Sequence, residues 1–508
     1  MPTTVGPVLR STMTERARAA GPPRRTRLAG GAGLGLIGAA VAVMAVIALL
    51  GPSAAVPDVG GDGPPWSLRV APADMLVLQL GWAAMIVGGL GLAVALWALR
   101  RGWRPRPGLL PAATVITVAV LALLPPAGST DVLNYAVYGR IAALGGDPYV
   151  TAPMWLHEIG DPVGRYAPLA WRHAPTVYGP LATWAQLAAS RLGGASMAGT
   201  IIVLKLAAGL AFLLSALMLD RLAGRDRERR IRVHLLWSLN PLMLWHVVLG
   251  AHIDGLGAVF LVAAILVLRR GGVLAGLVAG ALLGAAAAVK APFILAGAGL
   301  AWAARRSAGT FLAMLMGVAA ALVGAYATQG PEALGNLMGK IGSHALADPW
   351  RVVTDAMGLG MEASTLEGQL ALGAAFLIGV LLCRGLPPGP PGLDSVRPAL
   401  AWCLCWLLTS PMQHPWYDAL LFPLLALMPA GRLDGLLIAR GVLASLIYLP
   451  GAAVIARPTP FTQWVAETYR PWVAPLAADL VILCVIGLGI AGAFRPGARA
   501  PGGEPAGR

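Results

Sequence analysis

"GSTDVLNYAVYGRIAALGGDPYV", residues 128–150, follows directly on the apolar stretch 109–124. Its 23 residues hold two carboxylates, three tyrosines and an arginine, in a chain of which only 12% is charged. Polar chemistry gathered at the mouth of one apolar segment raises the question of which solvent surrounds the rest. With 57% hydrophobic residues and a mean hydropathy of +0.72 over 508 residues, the chain is too apolar for a water-soluble globule. It is read as an all-α polytopic membrane protein. The net charge of +15 does not mark a nucleic-acid partner, because the arginines fall in short clusters between apolar runs rather than on a separate basic domain. Cys383, Cys403, Cys405 and Cys484 all lie inside apolar runs, and the Cys-x-Cys pair has no partner at metal-ligand spacing. Neither a disulfide framework nor a zinc site is legible.

The arginines orient the apolar runs. Arg10, Arg16, Arg18, Arg24, Arg25 and Arg27 precede the first run, 28–51, and by the positive-inside rule place residues 1–27 in the cytoplasm as a basic tail. "GPSAAVPD" after that run offers small residues for signal cleavage, but the run exceeds an ordinary signal core and is read as a retained helix. A second run, 75–99, returns to "RRGWRPR", and a third, 109–124, goes out again. "DRLAGRDRERR" (220–230) is cytoplasmic by the same rule, so 201–219 brings the chain back. The quoted stretch therefore belongs to one long outer loop, 125–199, in which 181–189 is too short to span and reads as an interfacial helix. Further short runs alternate with basic turns at 269 and 304, and place outer loops at 330–368 and 456–471. The whole of 28–494 reads as a single polytopic domain of about 14 crossings, followed by a disordered cytoplasmic tail at 495–508.

This topology puts arginine clusters inside and nearly every acid and histidine outside, close to helix ends. Ionisable groups at a membrane edge are costly and are functional candidates. A coupled transporter would place them at the midplane of repeated halves, and no internal repeat is present. Chemistry at the outer boundary suits a substrate whose head group sits at the interface while its tail stays in hydrocarbon, such as a sugar on a polyprenyl phosphate. Phosphate is a good leaving group, so the site needs one carboxylate to accept the attacking hydroxyl's proton and one cation for the departing phosphate. Pro125 and Pro126 stop the third helix, and Ser129 or Thr130 caps a new one that ends near Gly145 and Gly146. On it Asp131, Tyr135 and Tyr138 share a face at i, i+4 and i+7. Asp131 reads either as a base beside two aromatic platforms or as an acid that favours a helix N-terminus.

"DVLNYAVYGRIAALGGDPY" (131–149), "VYGPLATW" (177–184), "GAHIDG" (250–255), "VKAP" (289–292) and "QHPWYDAL" (413–420) occur in an order and spacing that carry a resemblance extending over roughly residues 75–490. Together they resemble the polyprenol-phosphate-mannose-dependent alpha-1,6-mannosyltransferases of actinobacterial envelope synthesis, integral membrane enzymes of the GT-C fold. The resemblance implies that Asp131, opening the first outer loop, is the catalytic base. It also implies a beta-linked mannosyl phosphate donor, an alpha product and hence inversion, with a glycan or lipid-linked glycan acceptor and an active site on the outer face of the cytoplasmic membrane. "KIGSHALADPWRVVTDAMG" (340–358) stands where the family carries a Trp-Leu-Ser-Pro-like stretch, a departure that bears on acceptor and linkage.

Other positions join the candidate set. Asp147 in "GGDPY" reads equally as an acceptor-binding acid and as an ordinary turn cap. Tyr178 sits in the second motif. His252 and Asp254 sit at a tight outer turn, where they can orient sugar hydroxyls; as two ligands they are too few to claim a divalent metal, and no cofactor is called for. Lys290, one of three lysines, and Arg457 in the last outer loop are candidates for the phosphate, with snorkelling as the plainer use of Lys290. His414 and Tyr417 can line a lipid or sugar groove, and Lys205, inside the fourth helix, needs a partner. Transfer of another polyprenyl-linked sugar, or transport of a lipid-linked saccharide, are the alternative functions.

Overall fold

The computed structural model describes residues 23–61, 63–339, 344–346, 348–358, 363–449 and 459–494. Among them every regular element is helical, with a single isolated bridge between Ser53 and Val56 and no β-strand. The chain forms two compact units. One is made of Met1–Ala174, Trp184–Val259 and Tyr448–Ala456, the other of Pro175–Thr183, Phe260–Ile447 and Arg457–Arg508.

In the first unit α1 (Arg24–Leu50) and α2 (Asp74–Arg100) pack side by side through small residues, Gly33 against Gly91 and Ala40 against Gly88. Small residues suit lipid, where helices associate by close packing rather than by expelling water. Helix α3 (Leu109–Leu123) ends before Pro125 and Pro126, and α4 (Asp131–Ala143) begins after a short turn. The outer faces of the long helices carry Leu90 and Trp97, Leu210 and Leu214, Val323, Phe376 and Leu377, and Leu480 and Leu483, all exposed. In water such a surface is a liability; in a bilayer it meets its solvent.

Among the described residues six helices are long and apolar enough to cross a membrane: Arg24–Leu50, Asp74–Arg100, Met197–Ala223, Ala308–Ala327, Thr365–Gly385 and Pro460–Ala493. A bent pair, Arg227–Leu249 with Asp254–Leu268, brings the number to seven if it is one span. Leu109–Leu123, Val273–Val289, Ala291–Ala304, Val396–Thr409 and Pro415–Leu427 are shorter apolar helices. Counting apolar runs at about 14 crossings treats each run as an independent rod, whereas several are short or broken. The run 234–250 is the clearest case. Asn240 accepts from Leu242 N (3.1 Å) and donates to the Leu236 carbonyl (3.0 Å), Pro241 follows, and the helix is interrupted by π turns at His234–Ser238 and Leu244–Leu249. It then bends by 118° into Asp254–Leu268.

The basic turns gather at one end of this unit. Arg104 pairs with Glu228, and Arg227 donates to the Pro105 carbonyl (2.9 Å), so "RRGWRPR" and "DRLAGRDRERR" meet. Helix α3 leaves that end, and Asp131 lies past its far terminus. The two turns that the charge rule assigns to one side are thus physically together.

Helix α4 is no solvated loop segment, since nine of its 13 residues are buried on all faces. Two glycines make the packing possible. Gly128, at φ +85°, lies flat against Trp245, whose Nε1 is 2.3 Å from where a Cβ would stand. Gly139 brings α4 onto the backbone of α5 (Pro180–Gly193), leaving 2.2 Å between a would-be Cβ and the Gln186 carbonyl oxygen. Backbone cannot rotate away as a side chain can. Gly139→Ala is expected to force the two helices apart and cost about 1–3 kcal/mol, the range for overpacking. The check is the thermal midpoint of the detergent-purified chain; an unchanged midpoint would show that α4 and α5 are not in backbone contact.

Candidate active site

Asp131 opens α4, with its backbone N–H donated to Ser129 Oγ (3.1 Å). Of the two cap candidates in the sequence, Ser129 makes the bond; Thr130 is the cap residue by position and makes no side-chain bond. The Asp131 side chain is 17% exposed, open enough to meet a hydroxyl and enclosed enough to be held. Facing it at 3.7 Å is Nε2 of His252, which is fully buried. The other ring nitrogen, Nδ1, lies 2.7 Å from the His246 carbonyl oxygen, an acceptor only, so Nδ1 carries a proton. The imidazole therefore turns Nε2 toward the carboxylate. Tyr135 and Tyr138 are buried beside Asp131 on the same helix, as the spacing predicts. Burial, and then the Asp131 charge, push the Tyr138 phenol above its usual range, so it remains a neutral hydroxyl that donates to the Ala174 carbonyl (2.9 Å).

What presents His252 is a break in the helix. The π turn Leu244–Leu249 ends at Gly250, Ala251 takes a left-handed φ of 53°, and Asp254, also buried, opens the next helix. A non-glycine residue in that region carries strain, which must be held in place by its surroundings. Lys205 does the holding. It is fully buried in the helix Met197–Ala223, and its Nζ donates to the carbonyls of Leu249 (2.7 Å) and Val248 (3.4 Å), which the break has left without their helical amides. The partner that the sequence leaves open for Lys205 is thus the last turn before "GAHIDG".

Asp147 is exposed and accepts from Tyr149 N (2.8 Å), the geometry of a turn cap, so the plainer of its two readings describes its local bonds. Beyond it, Arg140 of α4 grips Asp161 through Nε (2.9 Å) and Nη2 (2.7 Å), pinning the remainder of the loop to the helix.

The second unit brings three further motifs together. Gly179 N donates to the Val289 carbonyl (3.2 Å), so "VYGP", with half-buried Tyr178, runs against "VKAP". Lys290 caps the helix Val273–Val289 in an extended conformation and sets its ammonium 3.9 Å over the ring of Tyr417. His414 stacks on Trp416 at 4.7 Å and meets Tyr417 edge-on at 5.1 Å. Burial first, then the Lys290 charge, lower the His414 imidazole to about 3, so it is neutral near pH 7. A cation over an aromatic face beside a neutral imidazole can hold an anion that carries an apolar tail. Arg457 lies outside the described residues.

The "QHPWYDAL" turn is again held from behind. Arg440 pairs with Asp418, and its Nη2 donates to Gln413 Oε1 (3.2 Å), while Gln413 Nε2 donates to the Leu408 carbonyl (3.1 Å). Sequence reasoning counts Asp418 only among the acids at outer helix ends and passes over Arg440, yet a lone arginine inside an apolar run is a signal that a buried acid must answer it. Arg440→Met leaves Asp418 buried without a counter-charge and is expected to cost about 3–5 kcal/mol, whereas the pair replaced together as Arg440→Met with Asp418→Leu costs far less. Thermal unfolding of both variants checks this; equal losses would show that the pair contributes no coupling.

The family model described as "Alpha-(1->6)-mannopyranosyltransferase, N-terminal domain" matches residues 32–306, a span that contains Asp131, His252 and Lys290. The chain is 30% identical over 136 residues to an alpha-(1->6)-mannopyranosyltransferase of Mycobacterium tuberculosis, covering 27% of this chain and 23% of that protein. It is 27% identical over 154 residues to alpha-(1->6)-mannopyranosyltransferase B of Corynebacterium glutamicum, covering 30% and 26%. A probable alpha-(1->6)-mannopyranosyltransferase of Mycolicibacterium smegmatis is 31% identical over 136 residues, covering 27% and 24%. The aligned region spans about a quarter of the length of each relative. No solved structure matches the chain. With its model matched over more than half of the residues and its motifs placed at structured turns, the chain belongs to the alpha-(1->6)-mannopyranosyltransferase family.

Proposed function

We propose that this chain is an inverting glycosyltransferase that moves mannose from a polyprenyl-phosphate-linked donor to a lipid-linked mannan or lipoglycan acceptor, forming alpha-1,6 bonds at the outer face of the cytoplasmic membrane. The observation that carries the proposal is the partly exposed Asp131 carboxylate beside buried His252, past the end of α3 opposite the arginine turns. The acceptor hydroxyl oxygen attacks the anomeric carbon of the beta-linked donor. The bond from that carbon to the phosphate oxygen breaks, its electron pair leaves with the polyprenyl phosphate, and the hydroxyl proton passes to Asp131. One displacement inverts the centre to alpha. Because phosphate leaves readily, no general acid is needed, and a fixed cation suffices to stabilise it.

In this proposal Lys290 is that cation, with Arg457 as a second, and Tyr417 and neutral His414 line the path of the phosphate and its lipid. Tyr135 and Tyr138 form the sugar platform, and His252 orients Asp131. Asp254, Asp147 and Tyr178 are the remaining sugar-binding candidates. The architecture is a GT-C-like bundle of membrane-crossing helices, with residues 28–494 as one polytopic domain and both tails, 1–27 and 495–508, on the cytoplasmic side.

Purified chain is to be incubated with radiolabelled polyprenyl-phosphate-mannose and a short mannoside acceptor. Wild type transfers label; Asp131→Asn, which keeps size but removes the basic carboxylate, is expected to lower turnover by about 10²–10⁴ with donor binding retained. Near-normal turnover in a folded Asp131→Asn chain would remove Asp131 from the mechanism.

Orientation is tested separately, since a base on the cytoplasmic side would not meet an outer-leaflet donor. In a background with the four native cysteines replaced, Ala152→Cys should react with a membrane-impermeant thiol reagent on spheroplasts and Gly224→Cys should not. The opposite pattern would turn Asp131 inward and sink the outward-facing proposal.

A further inference from the structure

Away from the residues given catalytic roles, the second unit holds a compact cluster of metal-binding side chains. His344 Nδ1 lies 2.6 Å from Asp348 Oδ2, and His344 Nε2 lies 3.4 Å from Glu367 Oε2. One ligand atom from each of the three residues falls within 4.8 Å of the others. Glu367 is only 2% exposed, near the start of the helix Ala363–Gly385, and its Oε1 is buried with no hydrogen-bond partner. The other oxygen of Asp348 is already used, accepting from Trp350 N at 2.9 Å. Among the described residues no lysine or arginine pairs with Asp348 or Glu367.

Two buried carboxylates against a single imidazole carry more negative charge than the imidazole can answer, and a buried carboxylate oxygen without a donor is costly. Both deficits have one remedy. A divalent cation set among the three side chains neutralises the charge and gives the idle oxygen of Glu367 a partner. His344, whose side chain is 47% exposed, provides the route from solvent. The donor set of one nitrogen and two oxygens fits a first-row ion such as zinc or manganese better than calcium or magnesium, which favour oxygen alone.

We propose that His344, Asp348 and Glu367 bind one divalent first-row metal ion, which clips the segment carrying His344 and Asp348 to the helix Ala363–Gly385. That segment already leans on the turn before His414: Ala345 N donates to the Pro411 carbonyl (3.1 Å), and Trp350 Nε1 donates to the Thr409 carbonyl (2.6 Å). The clip would thereby steady the "QHPWYDAL" turn from its outer side. It goes beyond the transferase proposal and does not rest on it, because binding is read without any sugar.

The experiment uses the full chain in detergent, stripped with chelator, loaded separately with Zn²⁺ and Mn²⁺, desalted and assayed for bound metal by mass spectrometry. About one ion per chain is expected for the preferred metal, together with a raised thermal midpoint. Glu367→Gln and His344→Ala should each cut retention about tenfold or more, and His344→Ala, altering a half-exposed side chain, reports on the site even if Glu367→Gln fails to fold. His252→Ala should retain the ion. Absence of binding by wild type, equal retention in the His344→Ala and wild-type chains, or loss only in His252→Ala would each overturn the proposal; the first outcome would mean that the carboxylates share a proton instead.

Discussion

A helix that breaks in a protein interior leaves buried carbonyls with no water to serve them, and in this chain the donation from Lys205 to the buried Leu249 carbonyl answers that need. The break after Leu249 is what turns His252 toward Asp131. The buried lysine thus lets irregular backbone exist beside Asp131, and the left-handed Ala251 is the local mark of the strain that it holds.

The second unit repeats the same physical solution with different residues. "QHPWYDAL" is another interruption between short helices, and Arg440 reaches into it from the helix Arg432–Tyr448 to pair Asp418 and orient Gln413. In each unit a polar turn is presented on one side and a buried basic side chain from a neighbouring helix, Lys205 or Arg440, fixes it on the other. This accounts for charges that have no place in an ordinary apolar helix. It also separates two kinds of basic residue: arginines at the surface that meet at one end of the first unit, and buried basic side chains that hold turns.

Small residues supply the rest of the framework. Gly139 on the Gln186 backbone makes α4 a packed floor rather than a mobile loop, and Arg140 with Asp161 ties the following residues to it. A carboxylate mounted on such a floor is held in position, which is what the proposed role of Asp131 as a single base requires. Exposed Asp147, bonded only within its own turn, has no comparable support.

Residence in a membrane, the helical class, the basic turns and the polar motifs at helix ends are legible in the sequence alone, because each depends on composition, run length or neighbours a few residues apart. The alignment of Asp131, Tyr135 and Tyr138 on one helix face is legible for the same reason. The number of true spans is not, since hydropathy measures how oily a run is and not whether Asn240 and Pro241 interrupt it. Nor are the pairings: His252 with Asp131, Lys205 with Leu249, Arg440 with Asp418, and His344 with Asp348 and Glu367. Three of these four join distant parts of the chain, and the fourth is completed only by the docking of Glu367 from a later helix. Packing chooses such partners, because in a low-dielectric interior a polar group takes whichever complementary group the fold brings within reach, wherever along the chain it arises.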